Sequence, residues 1–122
     1  MFNAISSIVL AVDKLATWIQ QTLGIIRPFA NRAIDVASNY TIKSCHMLSG
    51  RGTKSKFNTN DMNTIRNWMI TALKNGNNFK VNSKDSYSIV YNMGKIIGTE
   101  GQRCIKIVFT IAGKIITTYP HK

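Results

Sequence analysis

Carboxylates are scarce in this chain. Five Asp and Glu stand against sixteen Lys and Arg in 122 residues, for a formal charge of +11. The three acids of the basic region, Asp61, Asp85 and Glu100, are widely spaced, so a two-metal site built on carboxylates is not expected. Cysteine is also scarce. Cys45 and Cys104 form no CxxC, and no HExxH accompanies them, which removes the usual zinc motifs. The two thiols either pair, if the fold brings them together, or stand separately and half-buried. The phosphate-binding P-loop and the dinucleotide fingerprint are missing too, and no cofactor is expected. No apolar run reaches the roughly 18 residues of a membrane span, because Asp13 and Lys14 interrupt the best candidate. Residues 1–25 show neither a basic n-region nor a small-residue cleavage site, so no secretory signal is read there. Internal repeats and low-complexity linkers are lacking as well. One domain is expected at this length, long enough to form a core without disulfide or metal staples.

The surplus of base is unevenly spread. Residues 1–42 carry Lys14, Arg27 and Arg32 against Asp13 and Asp35, whereas residues 43–122 carry thirteen basic residues against three acids. A charge of this size favours an anionic partner: nucleic acid, an anionic membrane or an acidic protein. The plainer alternative is a basic surface that serves solubility alone. The anion-facing part is the C-terminal two thirds, and the first third has another role.

Hydrophobic spacing supplies the elements. Phe2, Ile5, Val9, Val12, Ala16, Ile19 and Leu23 recur at three and four residues and predict an amphipathic helix over 2–21. Pro28 suits the first turn of a second helix over about 28–39, with Phe29, Ala33, Val36 and Ala37 inward. These two form a helical hairpin, 1–42, that packs on or leads into the basic core, 43–122. A membrane-active or partner-binding hairpin is the alternative use of such amphipathic faces. A third helix follows in NTNDMNTIRNWMITALKNG. Asn58, Thr59 or Asn60 can cap it, Asp61 favours its first turn, and Gly76 serves as a left-handed stop. From Phe79 onward the period becomes two. SYSIVYN, KIIGT, RCIKIVFTI and KIITTYP read as four strands of an antiparallel meander. Helices segregated from strands in this way predict an α+β domain.

Between the second and third helices lies HMLSGRGTKSKF, residues 46–57, with no acid in it. Breaking an RNA phosphodiester without a metal requires a proton shuttle and cations for the charge on the phosphorane, since the 2′-hydroxyl of RNA is itself the nucleophile. His46 can shuttle a proton near neutral pH. Arg51 can grip a phosphate with a planar fork, Lys54 and Lys56 add point charges, and Gly50 and Gly52 allow close backbone approach to a ligand. In the last strand, strict alternation puts Ile115, Thr117 and Tyr119 on one face and Ile116 and Thr118 on the other. Thr117 and Tyr119 would offer hydroxyls to a phosphate or a ring to a base. Ordinary strand propensity accounts for both residues equally well.

The sequence of parts resembles a known set of toxins. A helical N-terminus precedes His46, Gly50-Arg51-Gly52 and Ser55 to Phe57; a helix and an antiparallel sheet follow, closing on Thr117-Thr118-Tyr119-Pro120. The small C-terminal RNase domains of contact-dependent growth inhibition and other polymorphic bacterial toxins share this layout. They belong to the barnase–EndoU–colicin–RelE superfamily, which also holds the colicin D nuclease. The architecture corresponds over about residues 25–122, and the motifs over about fifteen of them.

The resemblance implies a metal-independent endoribonuclease that cuts tRNA in or near the anticodon loop, leaving a 2′,3′-cyclic phosphate and a 5′-hydroxyl. It implies His46 as general acid or base, with Arg51 and a nearby lysine, Lys54 or Lys56, stabilising the transition state. Thr117 would bind the scissile phosphate, and Tyr119 would contact phosphate or base. Thr53, Lys43, Arg103 and Lys114 complete the expected RNA-binding set. An acidic immunity protein would cover the site, and a host activating factor is a further possible partner. Delivery would be as the secreted or surface-displayed end of a larger toxin, with action in the target-cell cytoplasm. The chain departs from its relatives in one respect: no second histidine or glutamate stands at a matching position. His121 follows Pro120 at the terminus, where fraying is expected, and serves as a second acid only if that end is tied down. A non-catalytic RNA- or DNA-binding module is the principal alternative.

Overall fold

A computed structural model of the chain describes residues 26–122. The helix expected over 2–21 lies outside the described residues. The described part of the next helix, α1, covers residues 26–37 and already includes Ile26 and Arg27 ahead of Pro28. A single 3-10 turn, Ser44–His46, then leads into an irregular segment, followed by α2 at Met62–Asn75. Four strands close the chain: β1 Phe79–Ser83, β2 Ser86–Asn92, β3 Cys104–Thr110 and β4 Ile115–His121. They form one antiparallel sheet in the order β1-β2-β3-β4. The α+β class holds, with helices preceding a four-stranded meander.

Burial follows the helical period. Ile26, Ala30, Ala33 and Ala37 of α1 are fully buried, as are Ile65, Met69, Ala72 and Leu73 of α2. They share one core with Ile89, Ile105, Ile107, Phe109 and Ile115 of the sheet. Both described helices therefore cover the same face of the sheet. Val36, expected inward, is 43 % exposed, because the buried stripe of α1 runs through Ala33 and Ala37 and leaves position 36 to one side. Small alanines on that stripe let the helix approach the sheet closely. Arg27 fastens the two helices together. Its guanidinium donates to the carbonyls of Leu73 and Gly76 at the end of α2 and lies over the Phe79 ring. It thereby satisfies carbonyls that the helix end leaves without partners.

Several local expectations need correction. Asp61 is the N-cap of α2, its carboxylate accepting from the Asn63 amide at 3.1 Å. Gly76 does end α2, but with φ −80, so it is not a left-handed cap. A side chain there would sit 2.4 Å from Ile89 Cδ1 and 2.7 Å from the Ala72 carbonyl oxygen, so crowding explains the glycine. KIIGT, Lys95 to Thr99, is not a strand of the sheet. It belongs to the β2–β3 connection, where the Ile97 and Gly98 amides donate to the Gln102 carbonyl and Asn58 and Thr99 tie it to the 56–58 segment. Its alternation is real, with Ile96 53 % exposed and Ile97 fully buried, but turns at both ends leave no length for a ladder. The fourth strand is instead FKVNS, an edge strand with only Phe79 partly buried, which carries no alternating signal.

Candidate active site

Two tethers position the segment that carries His46. The connection after α1 is pinned to α2 by Arg66, whose Nε donates to the Tyr40 carbonyl at 2.8 Å. It is pinned to β4 by the Tyr40 hydroxyl, which donates to the Ile116 carbonyl at 3.3 Å. Burial, with a further contribution from the nearby Cys45, pushes the Tyr40 phenol above its ordinary value, so it stays a neutral donor. From there the 3-10 turn delivers His46. The Phe57 amide donates to the His46 carbonyl at 2.8 Å, and the Phe57 side chain is fully buried against Trp68, with ring centroids 6.0 Å apart. The basic loop thus leaves the core at His46 and returns to it at Phe57.

The glycines inside that loop shape it. Gly50 packs on the turn, where an added Cβ would lie 2.1 Å from the Ser44 carbonyl oxygen; a side chain there displaces the turn. Gly52 takes φ +90 with open space around it, a left-handed conformation that favours glycine. Both positions thus have a conformational reason for glycine.

β4 supplies the opposite wall, and its alternation is reset by an irregularity. Ile115 pairs with Phe109 and Thr117 with Val108, so Ile116 is an extra residue opposite no partner, a β-bulge. Paired residues share a face. Ile115, Thr118 and Pro120 therefore face the core, and Thr117, Tyr119 and His121 face the other way. Ile115 and Thr117, expected on one face, are on opposite faces. Thr118 is 1 % exposed, and its hydroxyl donates to the Lys106 carbonyl at 2.9 Å, so it is structural.

Between loop and strand lies a cleft of about 450 Å³, lined by Lys43, Cys45, His46, Lys54, Ser55, Thr117 and Tyr119. His46 is 7 % exposed and stacks on Tyr119 with ring centroids 5.2 Å apart and planes at 27°. Its Nδ1 lies 2.6 Å from the Ser55 carbonyl oxygen. A carbonyl only accepts, so Nδ1 carries the proton, and Nε2 of the neutral ring holds the free lone pair. That is the tautomer a general base requires. Lys43 and Lys54 are exposed ammoniums at the rim, and no carboxylate is among the described lining residues.

Four of the six expected catalytic residues, His46, Lys54, Thr117 and Tyr119, meet at this cleft, and Lys43 joins them. Arg51 and Thr53 lie exposed on the outer arm of the loop and are not among its lining residues. Lys56 is turned to the loop itself, its ammonium donating to the Gly52 and Lys54 carbonyls at 2.7 and 3.0 Å. Arg103 is exposed just before β3, and Lys114 is exposed in the β3–β4 turn at the far end of β4 from His121. Two further side chains neighbour Tyr119: Lys106, which the sequence reading misses, and His121, which it admits as a second acid only if the chain end is tied down. The Lys106 ammonium stands 6.0 Å from the Tyr119 ring centroid, and the His121 ring is 6.5 Å away at 62°. Alternation along RCIKIVFTI and KIITTYPHK was the available signal for Lys106. The Ser55 carbonyl carries no residue-type signal.

Cys45 and Cys104 are both free, half-buried thiols. Among the described residues, no group of three or more His, Cys, Asp or Glu is placed to hold a metal ion, and no helix is long and apolar enough to cross a membrane. Comparison with protein-family models, curated proteins and solved structures found no match to this chain.

Proposed function

We propose that the protein is a metal-independent endoribonuclease. The observation that carries this reading is a buried histidine whose Nδ1 is held by a backbone carbonyl, facing a cleft with two lysines, a threonine and a tyrosine but no carboxylate. In this reading His46 Nε2 takes the proton from a ribose 2′-hydroxyl, which attacks the adjacent phosphorus. Lys43 and Lys54 offset the charge that builds on the phosphorane, and the Thr117 hydroxyl donates to a non-bridging oxygen. Tyr119 holds the imidazole plane by stacking and lines the wall beside the substrate. The products are a 2′,3′-cyclic phosphate and a 5′-hydroxyl.

The finer reading follows the toxin resemblance: tRNA as substrate, the barnase–EndoU–colicin–RelE superfamily as the lineage, and an acidic immunity protein as the inhibitor that fills the cleft. A host activating factor, delivery as part of a larger toxin and action in the target-cell cytoplasm belong to the same reading. The test is total bacterial RNA incubated with the protein in excess EDTA and resolved on a denaturing gel. Wild type is expected to release discrete fragments, and His46→Ala to lose at least about a hundred-fold in rate while keeping its RNA affinity. Cleavage retained by His46→Ala removes His46 from the mechanism. Binding with no cleavage by either protein makes this a nucleic-acid-binding module.

A further inference from the structure

We infer that His121 is the second proton-transfer group of this site, the general acid that protonates the leaving 5′-oxygen. This rests on the ribonuclease reading above. In-line displacement at phosphorus puts the attacking and leaving oxygens on opposite sides of the phosphorus, so an imidazole anchored at one side cannot serve both. His46 is so anchored, because Nδ1 is engaged by Ser55 and only Nε2 remains for the substrate. A second group must supply the leaving-group proton. Lysine and tyrosine side chains ordinarily ionise near pH 10 and imidazole near 6.5, so an imidazole is the better match to chemistry at neutral pH.

His121 does not itself line the cleft, but it stands beside Tyr119, which does, and it is held there because the end of the chain is tied down. β4 extends through His121, which pairs with Cys104 of β3. Pro120 is buried against Gly98, where an added Cβ would stand 2.8 Å from Pro120 Cβ. Regular alternation after the bulge at Ile116 puts His121 on the face that carries Thr117 and Tyr119. Its ring lies 6.5 Å from the Tyr119 ring, which lies 5.2 Å from His46. Both histidines of the chain therefore neighbour one phenol ring. The titratable neighbours of His121 are Tyr119 on its own strand, Cys104 directly opposite, Lys106 on the next position of that face, Arg103 next to Cys104 in the chain, and Lys122 next to His121 itself. The charged ones are all cations, which suits an approaching phosphate.

In the step, the O2′–P bond forms as the P–O5′ bond breaks. The 2′ proton goes to His46 Nε2, and the proton of the His121 imidazolium goes to O5′. Exchange with water then returns both rings to their starting states.

The test uses the RNA whose cut site the EDTA assay maps, re-synthesised with the 5′-bridging oxygen at that site or with sulfur in its place. A thiolate leaves without protonation, so the sulfur substrate needs no general acid. His121→Ala is expected to cleave the oxygen substrate about 10²–10⁴-fold more slowly than wild type and to cleave the sulfur substrate within about ten-fold of it. His46→Ala is expected to be slow on both. Equal slowing of His121→Ala on both substrates, or no slowing on either, overturns the assignment and leaves the ribonuclease reading standing. If wild type cuts no RNA, that reading fails first and this one with it. Thermal melting confirms the fold of each variant, and His121→Gln, closer in size, repeats the comparison if alanine loosens the end of the strand.

Discussion

Adjacent threonines in β4 show how little residue type says about role. Thr118 is buried and its hydroxyl is committed to the Lys106 carbonyl, whereas Thr117 lines the cleft. Replacing Thr118 by valine keeps the shape and removes one hydrogen bond, at about 1 kcal/mol, or roughly 4 °C in Tm for a domain of this size. Thr118→Val is therefore expected to melt earlier and cleave normally at a temperature where it is folded. Thr117→Val is expected to melt as wild type and lose cleavage by about ten-fold or more, the value of one charge-assisted hydrogen bond. Melting curves and cleavage rates on the two variants check the pair. The reverse pattern would place the phosphate contact at the wrong threonine. Lysines divide in the same way: Lys54 lines the cleft, while Lys56, two residues on, spends its ammonium on loop carbonyls.

At the scale of elements, the site hangs between a helix start and an edge strand. Asp61 caps α2 just after the basic loop rejoins the fold, accepting from the Asn63 amide at 3.1 Å and the Thr64 hydroxyl at 2.9 Å. The Thr64 hydrogen bonds, followed by the one from Asn63, lower its pKa below the ordinary 3.8. A carboxyl whose folded pKa is depressed contributes stability that is fully present above the unfolded value and disappears as pH falls through the folded one. Asp61→Ala is accordingly expected to melt below wild type at neutral pH. The gap should begin to close below pH 3.8 and vanish once the carboxyl of the folded protein is protonated. Melting temperature against pH for the two proteins measures this. A gap constant down to pH 2 would mean that the cap acts through something other than its charge.

For the whole molecule, the separation of faces matters most. The helices take one face of the sheet, and the cleft residues Thr117 and Tyr119 project from the other. Core packing and the lining of the cleft therefore do not compete for the same positions of the strand. With +11 on the chain, RNA association should be strongly screened by salt. Each phosphate contact on a single strand contributes a slope of about −0.7 in log affinity against log salt, so contacts from Lys43, Lys54 and Lys106 together give about −2. Titrations between low and physiological salt are expected to show at least that slope, and Lys43→Ala with Lys54→Ala should flatten it by about 1.4. An unchanged slope in that double variant would place the phosphates elsewhere on the basic surface. An acidic inhibitor directed at the same cleft would associate more slowly as salt rises, for the same reason.

Much of this was legible in the chain because it is local. The 3.6-residue recurrence of Ile65, Met69, Ala72 and Leu73 defines α2, and the period-two runs define three of the four strands. The acid-free run from His46 to Phe57 marked the loop that carries the site. What escaped depends on contacts between distant segments. β1 is an edge strand with little to bury, so no alternation announces it. The bulge at Ile116 exists only in the pairing of β4 with β3, and it decides which threonine faces the cleft. The tautomer of His46 is set by a backbone carbonyl nine residues away, and backbone groups are the same in every residue. Periodicity reports which residues seek the core; which polar groups then meet across the sheet depends on register and on main-chain hydrogen bonds, and those have no side-chain signature.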